Sequence, residues 1–222
     1  MGGDTNAEKP FVKPDCCNIT LVLAPPPDML NDRTSTLSLL RTRRSGRPRD
    51  LAGPGPDAAQ LREMLEAAIR VPDHGKLAPW RFVHVAKEQR PAFAALLQDA
   101  YRADNPQPAR LEVEAVDRFA HQAPELVVAL SAPVEGTKIP QWEQELSCGA
   151  ACMNLMLAAH ALGYAAGWVT GWPAYSHHVL AAFARGNERI AGFIFVGTPA
   201  LPLEERPRPA FEHAVAEWSP PA

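Results

Sequence analysis

Two basic stretches stand out as places where side chains could do chemistry. Arg41-Thr42-Arg43-Arg44-Ser45-Gly46-Arg47-Pro48-Arg49 carries five arginines in nine residues. Arg70-Val71-Pro72-Asp73-His74-Gly75-Lys76-Leu77-Ala78-Pro79-Trp80-Arg81-Phe82 brings three permanent cations and one histidine, with only Asp73 opposing them. Crowded guanidinium groups suit an anion, because their fork matches two oxygens of a phosphate or carboxylate. A third stretch, Gly167-Trp168-Val169-Thr170-Gly171, sets an aromatic beside glycines that let backbone come close to a ligand. Cations, a flat apolar wall and close backbone donors are together what a phosphate-bearing aromatic cofactor needs. Each stretch also has a plain structural reading. The arginines could be a solvated helix end favoured by the helix dipole, and Trp168 a core aromatic at a strand end.

Other chemistries find less support. Cys148 and Cys152 lie one helical turn apart without a C-x-x-C or H-E-x-x-H partner, so core packing explains them better than a metal does. No G-x-S-x-G elbow is present, and Ser147-Cys148-Gly149 falls within a helix expected to be buried. Glu143 and Glu145 could form an acid/base pair, but as first-turn residues they are already accounted for by the helix dipole. Gly53-Pro54-Gly55-Pro56-Asp57-Ala58 fits G-x-G-x-x-A in letters only, since proline lacks the N–H groups that such a turn offers to a phosphate.

The elements that must position these residues can be read from periodicity. Ser35 or Thr36 can cap a short helix through Leu37, Leu39 and Leu40, which runs straight into the arginine strip. Leu61, Met64, Leu65, Ala68 and Ile69 repeat at helical spacing, Pro72 ends that helix, and Trp80 to Val85 reads as a strand. Two more amphipathic helices follow, centred on Phe93 to Tyr101 and Leu111 to Phe119, then a buried strand from Glu125 to Ser131. Leu146 to Leu162 is apolar on nearly every side and too short and polar for a comfortable membrane span. Such a helix is most economically buried between subunits, which predicts a dimer. Strands at Ala165 to Val169 and Arg189 to Val196 and a proline-rich tail complete an α+β chain with helices around a mixed sheet.

With 222 residues, 46% apolar content and a net charge of -3, the chain fits one domain over residues 32–222 and gives no electrostatic case for nucleic acid. Residues 1–31, broken by Pro25-Pro26-Pro27, read as a disordered extension. The four cysteines fit a reducing cytoplasm, and neither an export signal nor a membrane span is expected.

Taken in order, these motifs resemble the nitroreductase family of FMN-dependent NAD(P)H oxidoreductases. The resemblance rests on Leu39-Leu40 with Arg43-Arg44-Ser45, Arg70 to His74 with Pro79-Trp80-Arg81-Phe82, Pro140 to Glu145, Trp168 to Gly171, and Gly192-Phe193 with Gly197-Thr198-Pro199. It implies a nitroreductase-like α+β fold in an intertwined homodimer with FMN at the interface. Arg43, Arg44 and Ser45 would lie on the phosphate and ribityl side, and Arg47 at the pyrimidine edge. Arg70 and His74 would make further FMN contacts, Trp168, Val169 and Thr170 would face the N5 region, and Arg208 would help with phosphate. It further implies nicotinamide contacts around Ala159 to Tyr164 and hydride passing from NAD(P)H to a small electron-poor acceptor such as a nitroaromatic or quinone. The alternatives are an FMN-binding protein or a flavin-family oxidase or dehydrogenase. No catalytic side chain and no metal ligand is assigned.

Overall fold

The computed structural model describes residues 29–221. The expected extension therefore lies outside the described residues for positions 1–28. Helix α1 (Thr36–Thr42) is capped by Ser35, whose hydroxyl accepts from the Ser38 N–H at 3.0 Å. Helix α2 (Ala58–Ala68) opens on a reciprocal cap: Asp57 accepts from the Gln60 N–H at 2.8 Å, and the Gln60 side chain accepts from the Asp57 N–H at 3.0 Å. Short β1 (Leu51–Ala52) precedes α2, and β2 (Trp80–His84) follows it. Helices α3 (Arg90–Asp104) and α4 (Arg110–Ala120) form a hairpin leading to β3 (Glu125–Ser131). The long α5 (Gln141–Ala161), β4 (Ala165–Val169), α6 (His177–Ala181), β5 (Arg189–Pro199) and one turn of helix, α7 (Phe211–Ala214), complete the chain.

The strands lie side by side in the order β2-β3-β5-β4, with β1 pairing Thr198 and Pro199 at the end of β5. Every pairing is antiparallel, which corrects the expected mixed sheet. The connections explain this. Two helices between β2 and β3 return the chain beside its starting strand in the opposite sense. The single helix α5 makes β3 and β4 run the same way, but β5 inserts between them and opposes both.

Both faces of the sheet are covered, so the strands alternate between two cores. Leu126, Val128, Leu130, Phe193 and Phe195 face α3, α4 and α6, where Phe119 meets both phenylalanines edge-on at 5.3 Å. Val127, Ala129, Ile194 and Val196 face α2 and α5. Helix α5 buries Cys148, Cys152, Leu155, Met156 and Ala159 in that second core. Its other side leaves Trp142 66% and Leu146 54% exposed, so the helix that is apolar all round is covered on one face only within a single chain. The two cysteines are core thiols, and the hydrogen bond that Cys152 donates to Cys148, together with burial, pushes the Cys152 thiol up. Among the described residues no helix is long and apolar enough to cross a membrane.

Candidate functional site

The arginine strip begins where α1 ends. Asn31 clamps the exit: its backbone N–H donates to the Thr42 carbonyl at 3.1 Å, its Oδ1 accepts from the Arg44 N–H at 2.7 Å, and its Nδ2 donates to the Arg44 carbonyl at 3.2 Å. The chain then runs against β4, with the Gly46 N–H donating to the Ala166 carbonyl at 3.1 Å. Two glycines permit this approach. A methyl on Gly167 would sit 2.4 Å from the Gly46 carbonyl oxygen, and one on Gly46 would sit 2.6 Å from Leu51 Cδ2. The result is a cleft of about 570 Å³ in which Arg44, Ser45 and Arg47 face Trp168, Val169 and Thr170, with Phe119 and Gln122 also lining it.

The tail after β5 folds back to the same place. Arg44 donates to the Glu204 carbonyl and Arg47 to the Glu204 carboxylate, each at 2.5 Å. Arg208 reaches the Arg43 carbonyl at 3.2 Å and Glu205 at 3.0 Å, while Arg206 lines the cleft. Arg43 spends one guanidinium nitrogen on Ser45 Oγ at 3.0 Å, and its Nε is buried with no partner. Burial first, then the neighbouring Arg208, Arg206 and Arg44, hold the Arg43 guanidinium below its usual range, and Glu205 alone pulls the other way. Burial and Arg206 act on Arg44 in the same direction. A half-buried cluster of like charges with an unsatisfied N–H is costly as it stands and becomes favourable once an anion joins it. A phosphate monoester fits that donor set.

Behind Arg43 lies His160, fully buried at the end of α5. Its Nδ1 is 3.2 Å from the Tyr164 carbonyl, which makes it the N–H side, and leaves Nε2 a buried acceptor without a partner. Burial, with a smaller push from Arg43, lowers its pKa to about 4. Ala159 is buried as well, and Tyr164 is engaged with Gln60 at 2.8 Å. Within the segment from Ala159 to Tyr164, Ala159 and His160 are thus core, while Ala161 and Gly163 are exposed.

The second basic stretch is built differently. Asp73 does not balance its cations; its carboxylate accepts from the Leu77 and Ala78 N–H groups at 3.0 and 2.9 Å and organises the turn. Arg81 forms a two-bond pair with Glu188, at 2.8 and 2.5 Å, and so ties β2 to the start of β5. His74 faces Glu143 at the start of α5, Nδ1 to Oε2, at 2.7 Å. Arg70 presents its carbonyl to Asn154 at 3.0 Å. Neither Arg70 nor His74 lines the cleft of the arginine strip: within one chain Arg44, Ser45, Arg47, Trp168, Val169 and Thr170 line it, Arg43 joins it through Ser45 and Arg208 through the Arg43 carbonyl, and Arg70 and His74 lie elsewhere. Asn31, Glu204 and Glu205 escaped the reading of the sequence. The run Glu204-Glu205-Arg206-Pro207-Arg208 carried a signal in its alternating charge, whereas Asn31 carried none, since its role exists only once the helix end is folded against it.

Residues 40–198 match the nitroreductase family. The chain is 36% identical over 169 residues to the Escherichia coli (strain K12) protein named "Putative NAD(P)H nitroreductase YdjA", a match spanning 74% of this chain and 88% of that one. Among solved structures, a nitroreductase-like family protein from Bacillus cereus superposes with a TM-score of 0.69 at 19% identity, covering 84% of this chain and 97% of that one. A variant of NfnB, an FMN- and NADPH-dependent nitroreductase from Sphigopyxis sp. strain HMH, superposes with a TM-score of 0.63 at 19% identity, covering 83% and 99%. The antiparallel sheet with helices on both faces is therefore a known fold, and this chain belongs to the nitroreductase family.

Proposed function

We propose that the protein is an FMN-dependent NAD(P)H oxidoreductase of nitroreductase type that reduces a small, electron-poor acceptor such as a nitroaromatic or a quinone. The observation that carries this reading is the unbalanced guanidinium cluster around Arg43, whose buried Nε lacks a partner beside a cleft walled by Trp168. The named activity of the YdjA relative and the cofactor in the description of NfnB point the same way.

FMN, when bound, supplies hydride exchange at its N5. The chain's own residues would do the rest. Arg43, Arg208 and Arg44 hold the phosphate, with Ser45 fixing the Arg43 fork at 3.0 Å. Arg47, now paired with Glu204 at the rim, turns to the electron-rich pyrimidine edge. Backbone groups of Val169 and Thr170 orient the reactive edge, and Trp168 closes one side of the cleft against water. The exposed apolar stripe of Trp142, Leu146, Leu37, Leu40 and Ile69 supports a homodimer. In that dimer the partner subunit's Arg70 and His74 would complete the pocket, which accounts for their distance from the arginine strip.

The test is the visible spectrum of the purified protein, before and after anaerobic addition of NADH or NADPH, with its mass in solution. A yellow dimer bleached by a nicotinamide nucleotide is expected. A colourless protein that FMN does not stabilise thermally would overturn the reading, and retained colour without bleaching would favour an FMN carrier instead. Initial-rate lines should be parallel when both substrates are varied; intersecting lines would exclude alternating use of one site.

A further inference from the structure

The ladder between β3 and β5 slips by one residue: Ala129 faces Gly192, Leu130 faces Ile190, and Ala191 has no partner across the strand. A bulge of this kind frees a carbonyl and re-aims what lies beside it. Here the free carbonyl accepts from the indole Nε1–H of Trp168 at 3.0 Å. Trp168 sits across from Ile194 on β4, and its ring leans back over Gly192. A methyl at Gly192 would lie 2.2 Å from the indole Nε1 and 2.5 Å from Cδ1, with the Val169 carbonyl oxygen 3.0 Å away on its other side. Gly192 itself has φ +154°, a conformation that side-chain-bearing residues rarely adopt.

We infer that the Ala191 bulge and Gly192 are a seat that fixes the Trp168 indole and thereby sets the width of the acceptor the cleft admits; this rests on the FMN reading. Three constraints act on one side chain: the cross-strand pair holds its Cβ, the Ala191 carbonyl holds its nitrogen, and the missing side chain at position 192 leaves room for the ring. The 38% of Trp168 that remains exposed lines the cleft opposite Arg44 and Arg47. A ring pushed off β5 can move into that cleft. Ala191 and Gly192 are positioning residues, acting through Trp168 and touching no substrate.

The experiment compares wild type, Gly192→Ala and Trp168→Phe, all loaded with FMN, against a one-ring nitroaromatic and a three-ring quinone. Gly192→Ala should raise KM for the three-ring acceptor by about tenfold or more and for the one-ring acceptor by less than about threefold, with kcat falling less than KM rises. Trp168→Phe, which removes the N–H anchor without strain, should shift the ratio of the two KM values by about threefold, and it carries the test if Gly192→Ala fails to fold. Wild-type KM ratios in FMN-bound variants would overturn the seat. Near-ultraviolet circular dichroism of the apoproteins separates this inference from the cofactor reading. If wild type binds no FMN, that reading alone falls, and a Gly192→Ala apoprotein with an unaltered tryptophan band would overturn the seat independently.

Discussion

The two basic turns are similar in sequence and opposite in structure. At Arg43–Arg47 the chain is pinned by Asn31 and by contact with β4, and the tail adds Arg206 and Arg208 to a cluster that Glu204 and Glu205 only partly neutralise. At Arg70–Arg81 three groups are engaged separately: Asp73 by backbone N–H groups, His74 by Glu143, and Arg81 by Glu188. A count of positive residues does not distinguish them. What distinguishes them is crowding: burial and neighbouring guanidinium groups hold Arg43 and Arg44 below their usual range, whereas the bond to Glu188 raises Arg81.

That contrast can be broken at several points. Arg43→Ala should weaken FMN by roughly 100- to 1,000-fold and riboflavin far less, because two or more charge-assisted bonds to phosphate are lost; flavin fluorescence titration measures both. Equal losses for the two flavins would detach Arg43 from the phosphate. His160 tests the buried backing of the same cluster. Its folded pKa, about 4, lies below the ordinary 6.5, so the unfolded chain binds the proton first as pH falls. Its contribution is whole above pH 6.5 and is lost on going down through about 4, a drop approaching roughly 3 kcal/mol. In urea unfolding across that range, His160→Leu should show a correspondingly flatter pH dependence than wild type.

Arg81→Ala addresses the other turn. It should cost roughly 2 kcal/mol in unfolding free energy by leaving the buried Glu188 carboxylate unpaired, yet change FMN affinity by less than about threefold. A large loss of FMN would show that the second turn's cations do converge on the cofactor. The smallest effect is expected at Asn31→Ala, about 1 kcal/mol in thermal unfolding, with FMN weakened about threefold as the Arg44 backbone loosens.

Much of the fold was legible because hydrophobic periods dominate it. Leu61 to Ile69 and Glu125 to Ser131 announce a helix and a buried strand by spacing alone, and Ser35 marks its helix start with a hydroxyl. The sheet's sense was not legible, since it depends on β5 inserting between β3 and β4, a long-range choice with no local signature. Half of the site was legible in the same way. Arg43, Arg44, Ser45 and Arg47 are contiguous, but their meeting with Trp168 depends on Gly46 and Gly167, whose role lies in what they lack. Glu204 lies more than 150 residues from Arg44 and Arg47, and Glu205 as far from Arg44, beyond any reach of spacing.

The Gly46–Gly167 contact also bears on engineering. Since main chain rests on main chain there, the gap between the arginine strip and β4 is already at its minimum, and no choice of lining side chains can narrow it. Libraries aimed at new acceptors would therefore retune charge and contour at positions such as Arg47, Phe119 and Gln122, against a spacing that stays constant from one variant to the next.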